Sequence, residues 1–357
     1  MNEIDRLYVN ESLNLRNVLK QIDANGRKIV FVVNDKGKFL GTITDGDVRR
    51  WILKNGSIDA IASEVMNDNS IVLFESKREE AKKILKKKNI IAIPIVNKER
   101  KIVDIVFSSE YLGYVKSSLG LKDISIIIMA GGLGTRLHPY TKILPKPLIP
   151  IGDTPILERI INRFTYYGAN KFYLTVNYKK NMIKSYFNEL DVEYSISYVE
   201  ESEPLGTGGS LSLLKGKIGK TFFVSNCDIL IDAEYDDILK HHRNSGNKIT
   251  IVTSVKNFII PYGVFKLNED GCISEVYEKP EYSYLVNTGM YVLEPEVLND
   301  IPYGQYCNLP DVIKSYIKEN IKVGIYPISE QAWMDMGQLS EMKDMVERIE
   351  EKEGYNK

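Results

Sequence analysis

The sequence predicts an α/β protein with more than one domain, and three observations support this fold class. The chain has 357 residues, of which 43% are hydrophobic, so it is longer than one ordinary domain. From Ile124 onwards, apolar segments typical of buried strands alternate with segments of helical periodicity, as in a mostly parallel sheet covered by helices on both faces. The N-terminal part instead repeats one short pattern, which indicates a separate region.

Composition restricts the classes of function. The formal net charge is −1, so nothing favours a nucleic acid or a membrane surface as a partner. The three cysteines form no CxxC pair, which favours a reducing compartment and argues against a structural zinc site. The N-terminus lacks the apolar segment of a secretory signal, and no apolar run approaches the ~18 residues of a membrane span. We therefore expect a cytoplasmic protein.

The elements after residue 123 are expected in a regular order. The expected strands are Ile124–Ala130, Lys171–Val176, Tyr194–Val199, Thr221–Ser225 and Ile249–Val255, and the expected helices are Pro155–Tyr167, Asn181–Leu190, Thr207–Leu214, Ala233–Asn244 and, in the charged tail, Gln338–Lys352. Three later strands (Val264–Leu267, Ile273–Glu278 and Tyr284–Leu293) predict an antiparallel lid across the carboxyl edge of the sheet, where α/β proteins bind their ligands.

The N-terminal region contains an internal repeat. Residues 33–40 (VNDKGKFL) align with residues 96–103 (VNKERKIV). Each half has an apolar strand (Ile29–Val33 or Ile91–Val96), a polar turn, a second short strand and a helix. A unit of this size cannot close a core of its own, so we expect the two halves to pack against each other. The helices expected upstream are Leu13–Ile22 and Lys77–Lys88, the latter after a strand at Ser70–Phe74.

The first repeat ends in a polar motif, Gly41-Thr42-Ile43-Thr44-Asp45-Gly46-Asp47. With this motif the region resembles a tandem pair of CBS domains, the adenine-nucleotide sensing module. The resemblance implies that Thr44 contacts phosphate and that Asp47 binds the ribose diol of AMP or ATP, for which a carboxylate offers two acceptors. The alternative is that Thr44 or Asp45 only caps a helix at Val48–Lys54.

The second repeat departs from that motif. Asp104, Phe107 and Glu110 stand where the first repeat has Gly41, Thr44 and Asp47. We therefore expect one working nucleotide site per chain. CBS pairs also serve in assembly alone, and a homo-oligomer, either a dimer or a tetramer, is expected.

The strongest chemical signal lies between Ile124 and Pro150. A β-branched apolar run predicts a strand buried on both faces, and it leads directly into the glycine-rich segment Gly131-Gly132-Leu133-Gly134-Thr135-Arg136. The backbone N–H groups of such a loop emerge at the carboxyl edge of the sheet, where a phosphate can approach glycines closely. The loop is neither a Walker motif nor a dinucleotide fingerprint. Pro145-Lys146-Pro147 adds a lysine in a rigid turn.

Together, the loop and the lysine turn resemble those of the sugar-nucleotide pyrophosphorylases, which join a sugar 1-phosphate to a nucleoside triphosphate. The resemblance covers Ile124 to Gly337 and implies a Rossmann-like mixed sheet of the GT-A type with covering helices. It places the nucleotide on Ala130, Gly131, Gly132, Gly134 and Thr135. Arg136 and Lys146 are the expected catalytic residues, because in-line attack at the α-phosphorus brings two anions together and their charge must be neutralised. The alternative is a structural turn with a surface arginine.

Two aspartates match the positions of the metal ligands in that family. Asp228 ends the strand FFVSNC, and Asp335 lies in Trp333-Met334-Asp335-Met336-Gly337. Phosphoryl chemistry of this kind needs Mg²⁺ held by carboxylates near the phosphates. The family usually has glycine before the first aspartate, whereas this chain has Cys227. The alternative for each aspartate is a turn or cap residue.

The segment ESEPLGTGG (201–209) is expected to read the base and ribose. By resemblance, Gly206 lies against the nucleotide and Thr207 caps the next helix. Relatives that read a pyrimidine carry glutamine five residues before this glycine, whereas this chain has Glu201. A carboxylate accepts from both N1–H and N2–H₂ of guanine, so GTP is favoured. The alternatives are a solvated Glu201 and reading of the base by the backbone.

The sugar phosphate is expected at three further motifs. They are Tyr262-Gly263, Glu278-Lys279-Pro280 and Asn287-Thr288-Gly289. The resemblance implies that Glu278 and Asn287 bind sugar hydroxyls and that Lys279 binds the phosphate. A solvated Glu-Lys pair is the alternative.

The domains expected are a tandem CBS pair (1–116), a linker (117–123) and a nucleotidyltransferase domain (124–357). The combination resembles the CBS-containing glucosamine-1-phosphate guanylyltransferases of legionaminic acid synthesis. Alternatives are a mannose-1-phosphate guanylyltransferase, a glucose-1-phosphate uridylyl- or thymidylyltransferase, and a non-catalytic adenine-nucleotide sensor that assembles other proteins.

Overall fold

The computed structural model describes residues 6–55, 57–88, 90–108 and 119–354, without the side chains of Lys86 and 351–354. The chain forms two compact units. The first contains Met1–Lys116, Val255–Leu285 and Pro327–Gln331, and the second contains Ser117–Ser254, Val286–Tyr326 and Ala332–Lys357. Glu110, the helix expected after the second repeat and the first two residues of the expected linker, 117 and 118, lie outside the described residues. The domain boundaries therefore stay a prediction.

Two three-stranded sheets in the first unit have the same topology. One contains β1 (Tyr8–Asn10), β2 (Ile29–Val33) and β3 (Phe39–Thr44), and the other contains β4 (Leu73–Phe74), β5 (Ala92–Val96) and β6 (Ile102–Phe107). In each sheet the first strand is parallel to the second and the second is antiparallel to the third. The register shifts at Val32/Val33 in one sheet and at the aligned Ile95/Val96 in the other. The predicted repeat is thus confirmed.

The polar turn of each repeat is built in the same way. The side chain of Asn34 accepts from the N–H groups of Lys36 and Lys38 at 3.1 and 3.0 Å. Asn97 accepts from the N–H groups of residues 99 and 101 at 3.0 Å each. The two turns also meet, because the N–H of Phe39 donates to the carbonyl of Arg100 at 2.9 Å. The halves therefore pack as a pair, as the sequence predicts.

Helices cover these sheets. They are α1 (Leu15–Asn25), α2 (Asp45–Asn55), α3 (Ala62–Val65) and α4 (Ala81–Lys88), the last after a 3₁₀ turn at Glu75–Glu80. Helix α1 begins two residues later than predicted because the side chain of Asn14 caps it, accepting from the N–H of Asn17 at 2.9 Å. Its apolar side chains lie in the core of the first repeat, and Val255 lies in the same core.

The second unit is organised around a seven-stranded mixed sheet. From residue 125 onwards the described residues form thirteen strands, of which β15 and β16 belong to the first unit: β7 (Ser125–Met129), β8 (Pro150–Ile151), β9 (Thr154–Pro155), β10 (Lys171–Val176), β11 (Ser195–Glu200), β12 (Phe222–Asn226), β13 (Ile229–Ile231), β14 (Ile249–Ile259), β15 (Val264–Leu267), β16 (Ile273–Tyr277), β17 (Glu281–Leu293), β18 (Val323–Ile328) and β19 (Trp333–Asp335). The helices are α5 (Tyr140–Ile143), α6 (Ile156–Tyr166), α7 (Lys180–Asn188), α8 (Gly206–Ser212), α9 (Tyr235–Ser245), α10 (Val297–Asp300), α11 (Leu309–Lys318) and α12 (Leu339–Gly354). The order of strands in the seven-stranded sheet is β11-β10-β7-β12-β17-β14-β18. Strand β7 is parallel to both of its neighbours, β10 and β12.

One predicted strand has a different place. Tyr284–Leu293 was expected in a lid, but β17 lies inside the large sheet, antiparallel to β12. That part of the prediction is wrong because Thr288 to Leu293 is a continuous buried segment, which is the pattern of a central strand. The other two lid strands, β15 and β16, do pair as an antiparallel hairpin.

The described residues contain no helix that is both long and apolar enough to span a membrane.

A buried polar network lies between α9 and the sheet. His242 is 0% exposed, and its Nδ1 and Nε2 lie 2.8 Å from Thr250 Oγ1 and 3.0 Å from Glu294 Oε1. Burial lowers the pKa of His242, more than Glu294 raises it. The contact with Glu294 is therefore a hydrogen bond of a neutral imidazole.

Candidate active site

The glycine-rich loop begins where β7 ends. Ala130 is buried, and its N–H donates to the carbonyl of Thr175 on the neighbouring β10 at 2.9 Å. Gly134 has a φ of 65°, which favours glycine. A Cβ there would lie 2.8 Å from Thr141 Cγ2 and 3.1 Å from Lys146 Cβ. The hydroxyl of Thr141 also donates to the Gly134 carbonyl at 2.9 Å. The loop conformation at Gly134 is therefore fixed both by close packing and by a hydrogen bond.

A buried ion pair joins the loop region to the end of β12. Lys146 lies in a 3₁₀ turn, Lys146–Leu148, after Pro145, and its side chain is 10% exposed. Its ammonium group donates to Oδ2 of Asp228, whose side chain is 14% exposed. The structure thus brings together a predicted catalytic residue and a predicted metal ligand.

Asp335 reaches the same place through a second pairing. Strands β13 and β19 are antiparallel with Asp335 opposite Ile229, and the N–H of Met336 donates to the carbonyl of Asp228 at 2.8 Å. Burial, followed by the negative charges of Asp228 and Glu341, raises the pKa of Asp335 to about 6, whereas Lys146 and Arg136 lower it. The backbone bond from Met336 places Asp335 beside the pair of Lys146 and Asp228.

Glu341 is a neighbour that the sequence reasoning missed. It lies in the first turn of α12, and a Cβ on Gly337 would lie 2.9 Å from Glu341 Oε2 and 3.0 Å from Asp335 Oδ2. Glu341 could have been identified from the sequence, because it is an acidic residue that follows shortly after the Asp335 motif.

The aspartate pair fits a magnesium ion by its chemistry. Mg²⁺ takes oxygen ligands and is commonly held by one or two carboxylates together with substrate phosphates. Asp228 and Asp335 supply such carboxylates, and their mutual repulsion, visible in the pKa of Asp335, is what a cation would relieve. Among the described residues, no group of three or more His, Cys, Asp or Glu side chains has the geometry of a metal site.

Glu201 lies between the glycine loop and the start of α8. It is 8% exposed, and its Oε2 accepts from the N–H of Leu205 at 3.2 Å. Its Oε1 lies 2.7 Å from the position of a Cβ on Gly131. Burial raises the pKa of Glu201, and the bond from Leu205 opposes that change. The carboxylate is therefore not a freely solvated surface group.

Thr207 does not cap α8 as expected, and Gly206 is tightly confined; nucleotide binding by these two residues stays a prediction. Helix α8 begins at Gly206 and has no side-chain cap. The hydroxyl of Thr207 instead accepts from the N–H of Leu309 at 3.1 Å, because α11 packs beside it. Gly206 has a φ of 74°, and a Cβ on it would lie 2.7 Å from the carbonyl oxygen of Cys307.

The residues expected to bind sugar phosphate fall into both units. Asn287, in the second unit, accepts from the N–H of Gly289 at 2.9 Å and donates to the hydroxyl of Tyr291 at 2.6 Å. The other four belong to the first unit and lie beside the β15–β16 hairpin: Tyr262, Gly263, Glu278 and Lys279. The side chains of Tyr262, Glu278 and Lys279 are exposed.

Comparison with known proteins identifies the family. The model of the family described as "Nucleotidyl transferase" matches residues 125–352. This chain belongs to the nucleotidyl transferase family. The model described as "CBS domain" matches residues 1–54, so this nucleotidyl transferase carries a CBS domain at its N-terminus.

Curated relatives match about three fifths of this nucleotidyl transferase. A Drosophila pseudoobscura pseudoobscura protein named mannose-1-phosphate guanylyltransferase catalytic subunit beta is 33% identical over 222 residues, 59% of this chain and 58% of that protein. An Aspergillus oryzae protein named mannose-1-phosphate guanyltransferase is 33% identical over 221 residues, 59% of this chain and 60% of that protein. The chain thus spans about three fifths of the length of these relatives.

Solved structures share the fold. HddC from Yersinia pseudotuberculosis has a TM-score of 0.51 at 23% identity, covering 63% of this chain and 99% of its own. A putative glucose-1-phosphate thymidylyltransferase from Bacillus anthracis has a TM-score of 0.51 at 18% identity, covering 63% of this chain and 94% of its own. The predicted α/β mixed sheet is thereby confirmed.

Thr44 and Asp47 of the CBS domain bond to each other. The N–H and hydroxyl of Thr44 donate to Asp47 Oδ2 at 2.8 and 2.6 Å, and the N–H of Asp47 donates back to Thr44 Oγ1 at 3.3 Å. This is a capping box at the start of α2. Arg50 holds the other carboxylate oxygen at 2.6 Å. The capping alternative is therefore present in the structure, and nucleotide binding at these residues stays a prediction.

Proposed function

We propose that this protein transfers a nucleotidyl group from GTP to a hexose 1-phosphate, giving an NDP-sugar and pyrophosphate. One observation carries the proposal: Lys146 pairs with Asp228, the segment of Asp335 is bonded to the backbone of Asp228, and Lys146 packs against Gly134 of the glycine loop that also carries Arg136. Phosphoryl-type transfer needs that combination of positive charge and metal-binding oxygen, and it needs little else from the protein.

In the proposed reaction, an oxygen of the sugar phosphate attacks the α-phosphorus in line. A new P–O bond forms while the bond to the β-phosphate oxygen breaks, and pyrophosphate leaves with the electron pair. The N–H groups of the loop from Gly131 to Thr135 hold the triphosphate, and Arg136 and Lys146 neutralise the charge that two approaching anions bring. No covalent nucleophile is required. Burial raises the pKa of the neighbouring Cys227 thiol to about 12, which keeps it protonated and inert.

Asp228 and Asp335 are the residues that would hold Mg²⁺. When bound, the ion would neutralise phosphate charge and orient the phosphate oxygens. The ammonium group of Lys146 donates to Oδ2 of Asp228, so the pair already places a cation at the carboxylate that would bind the metal.

Guanine is the base that we propose, with Glu201 as its reader. Glu201 is buried beside Gly131 of the phosphate loop, so its carboxylate faces the region where the nucleotide would lie. A carboxylate accepts from the two adjacent donors of guanine. The names of the curated relatives, which are guanylyltransferases, support the same base.

Two sugars are candidates. The arrangement of CBS domain and transferase resembles glucosamine-1-phosphate guanylyltransferases, which favours glucosamine 1-phosphate, whereas the relatives' names favour mannose 1-phosphate. We propose glucosamine 1-phosphate first. Glu278, Lys279 and Asn287 are the proposed ligands of the sugar phosphate, and adenine nucleotides are the proposed regulators at Thr44 and Asp47.

The experiment is a turnover panel that crosses four nucleoside triphosphates with several hexose 1-phosphates and measures pyrophosphate release with Mg²⁺. GTP with glucosamine 1-phosphate should give the highest kcat/KM. Absence of pyrophosphate with every pair would refute the activity and favour a sensor or assembly role. Release with UTP or dTTP but not with GTP would refute the proposed base.

A substitution tests the reader directly. Glu201→Gln replaces one acceptor by a donor, so kcat/KM for GTP should fall about ten-fold or more relative to UTP, as expected for an unsatisfied polar group. The matched control is Glu200→Gln, because Glu200 is adjacent but exposed and pairs with Lys180 and Lys184. An equal loss for all triphosphates would mean that Glu201 does not read the base.

A further inference from the structure

The N-terminal unit contains part of the transferase sequence. Residues 255–285 belong to the first compact unit together with the repeats. Val255 is 4% exposed and lies in the core of the first repeat with residues of α1 such as Leu15 and Val18. Its two arms are joined inside the segment, because the N–H of Ile260 donates to the carbonyl of Pro280 at 3.0 Å. Residues 255–285 are therefore a packed, structural part of the N-terminal unit.

Helix α1 of the first repeat also holds this segment by polar contacts at Glu281. The ammonium of Lys20 lies 2.7 Å from each of the two carboxylate oxygens of Glu281. Arg16, one helical turn earlier, donates from Nη1 to the backbone carbonyl of Glu281 at 3.1 Å. Its other nitrogen, Nη2, pairs with Asp59 at 2.5 Å, which fixes the guanidinium. Both the side chain and the main chain of Glu281 are thus held.

Glu281 follows directly on the motif expected to bind sugar phosphate, Glu278-Lys279-Pro280. Lys279 has a φ of 47°, a conformation that non-glycine residues keep only where their surroundings impose it. The ring of Pro280 restricts the chain between Lys279 and Glu281. A displacement at Glu281 is therefore passed on to Lys279 with little room for the backbone to absorb it.

We propose that Lys20 and Arg16 of the CBS repeat are positioning residues for the sugar-phosphate motif Glu278-Lys279. They touch no substrate and act through Glu281. The inference rests on the proposed function, since it takes from it the role of Glu278 and Lys279. It gives the N-terminal unit a direct part in sugar-phosphate binding, whether or not that unit binds a nucleotide.

The test is a charge-reversal cycle with Lys20→Glu, Glu281→Lys and the double variant. Lys20→Glu places two carboxylates together, so KM for the hexose 1-phosphate should rise about ten-fold, whereas Lys20→Ala should raise it by up to about five-fold, since the pair is partly exposed. KM for GTP should stay within two-fold. The double variant should restore KM for the sugar phosphate. Lys54→Glu, an exposed lysine on α2, is the matched control and should change neither constant.

Backbone hydrogen exchange supplies a readout that does not depend on activity. Exchange of residues 278–285 should be faster in Lys20→Glu and return to the wild-type rate in the double variant. Equal rises of both KM values, or no restoration, would overturn the positioning role. If the wild-type protein turns over no hexose 1-phosphate, the proposed function fails, and the exchange data alone then decide whether Lys20 holds the segment.

Discussion

Replacing Lys146 by methionine tests both the stability and the chemistry of the proposed site. The side chains of Lys146 and Asp228 are only 10% and 14% exposed, so Lys146→Met leaves a nearly buried carboxylate without its partner and facing Asp335. Removing one partner of a buried pair typically costs about 3 kcal/mol or more. For a unit of this size, that corresponds to a fall in Tm of roughly 6–12 °C. The loss of a cation at the phosphates should lower kcat by about 10²–10³-fold.

The double variant Lys146→Met/Asp228→Asn separates these two effects. With both charges removed, most of the lost stability should return, whereas pyrophosphate release should stay low. The measurements are thermal unfolding and steady-state turnover with GTP. Lys240→Met, at an exposed pair with Asp237, is the control and should change Tm by less than about 2 °C. A double variant as unstable as the single one would refute the ion-pair argument, and a Lys146→Met enzyme with kcat within ten-fold of wild type would refute the catalytic role.

Three further predictions concern separate parts of the molecule. Gly134→Ala should destabilise the protein by more than about 1 kcal/mol in urea unfolding and raise KM for GTP, because Gly134 has a positive φ and a Cβ there would meet Thr141 and Lys146. The control is Gly219→Ala, which should change stability little because Gly219 has open space around it. Asp47→Ala should cost about 1 kcal/mol through the lost capping box; unchanged AMP binding by calorimetry, with unchanged turnover and oligomer size, would exclude regulation at that residue. His242 has a pKa below its ordinary value of 6.5, so the unfolded chain binds more protons than the folded one, and the free energy of unfolding should fall as the pH drops below 6.5. His242→Gln should flatten that pH dependence in urea unfolding. An unaltered slope would exclude His242 as its source.

The parts of the fold that the sequence predicted best are those with a local signal. The strand before the glycine loop, the amphipathic α6 and the aligned turns at Asn34 and Asn97 are each specified by neighbouring residues. The amphipathic α11 was missed although its apolar residues recur at helical spacing, with Leu309, Val312, Ile313 and Tyr316 buried. That pattern could have found it.

Contacts between distant residues could not be predicted in the same way. The sequence motifs predict Lys146 as a catalytic residue and Asp228 as a metal ligand. Nothing in their spacing shows that these two side chains, 82 positions apart, form one ion pair. Likewise, residues 281–287 of β17 are exposed or half-buried, whereas Thr288 to Leu293 are buried. The burial pattern of this one strand therefore combines that of an edge hairpin with that of a central strand. Its place in the sheet depends on which partners are available, and that is a tertiary choice.

Strands β14 and β17 have a practical consequence for dissecting this protein. Each begins in one compact unit and ends in the other, with the divisions at Ser254/Val255 and Leu285/Val286. A transferase fragment cut near residue 117 would keep residues 255–285 but lose the apolar core around Val255, and the complementary CBS fragment would lose the same packing from its own side. The two halves cannot be exchanged between proteins as simple cassettes at the linker. A clean excision has to carry both residues 255–285 and residues 327–331 with the N-terminal half, and it has to close β14 onto β17 with a new turn.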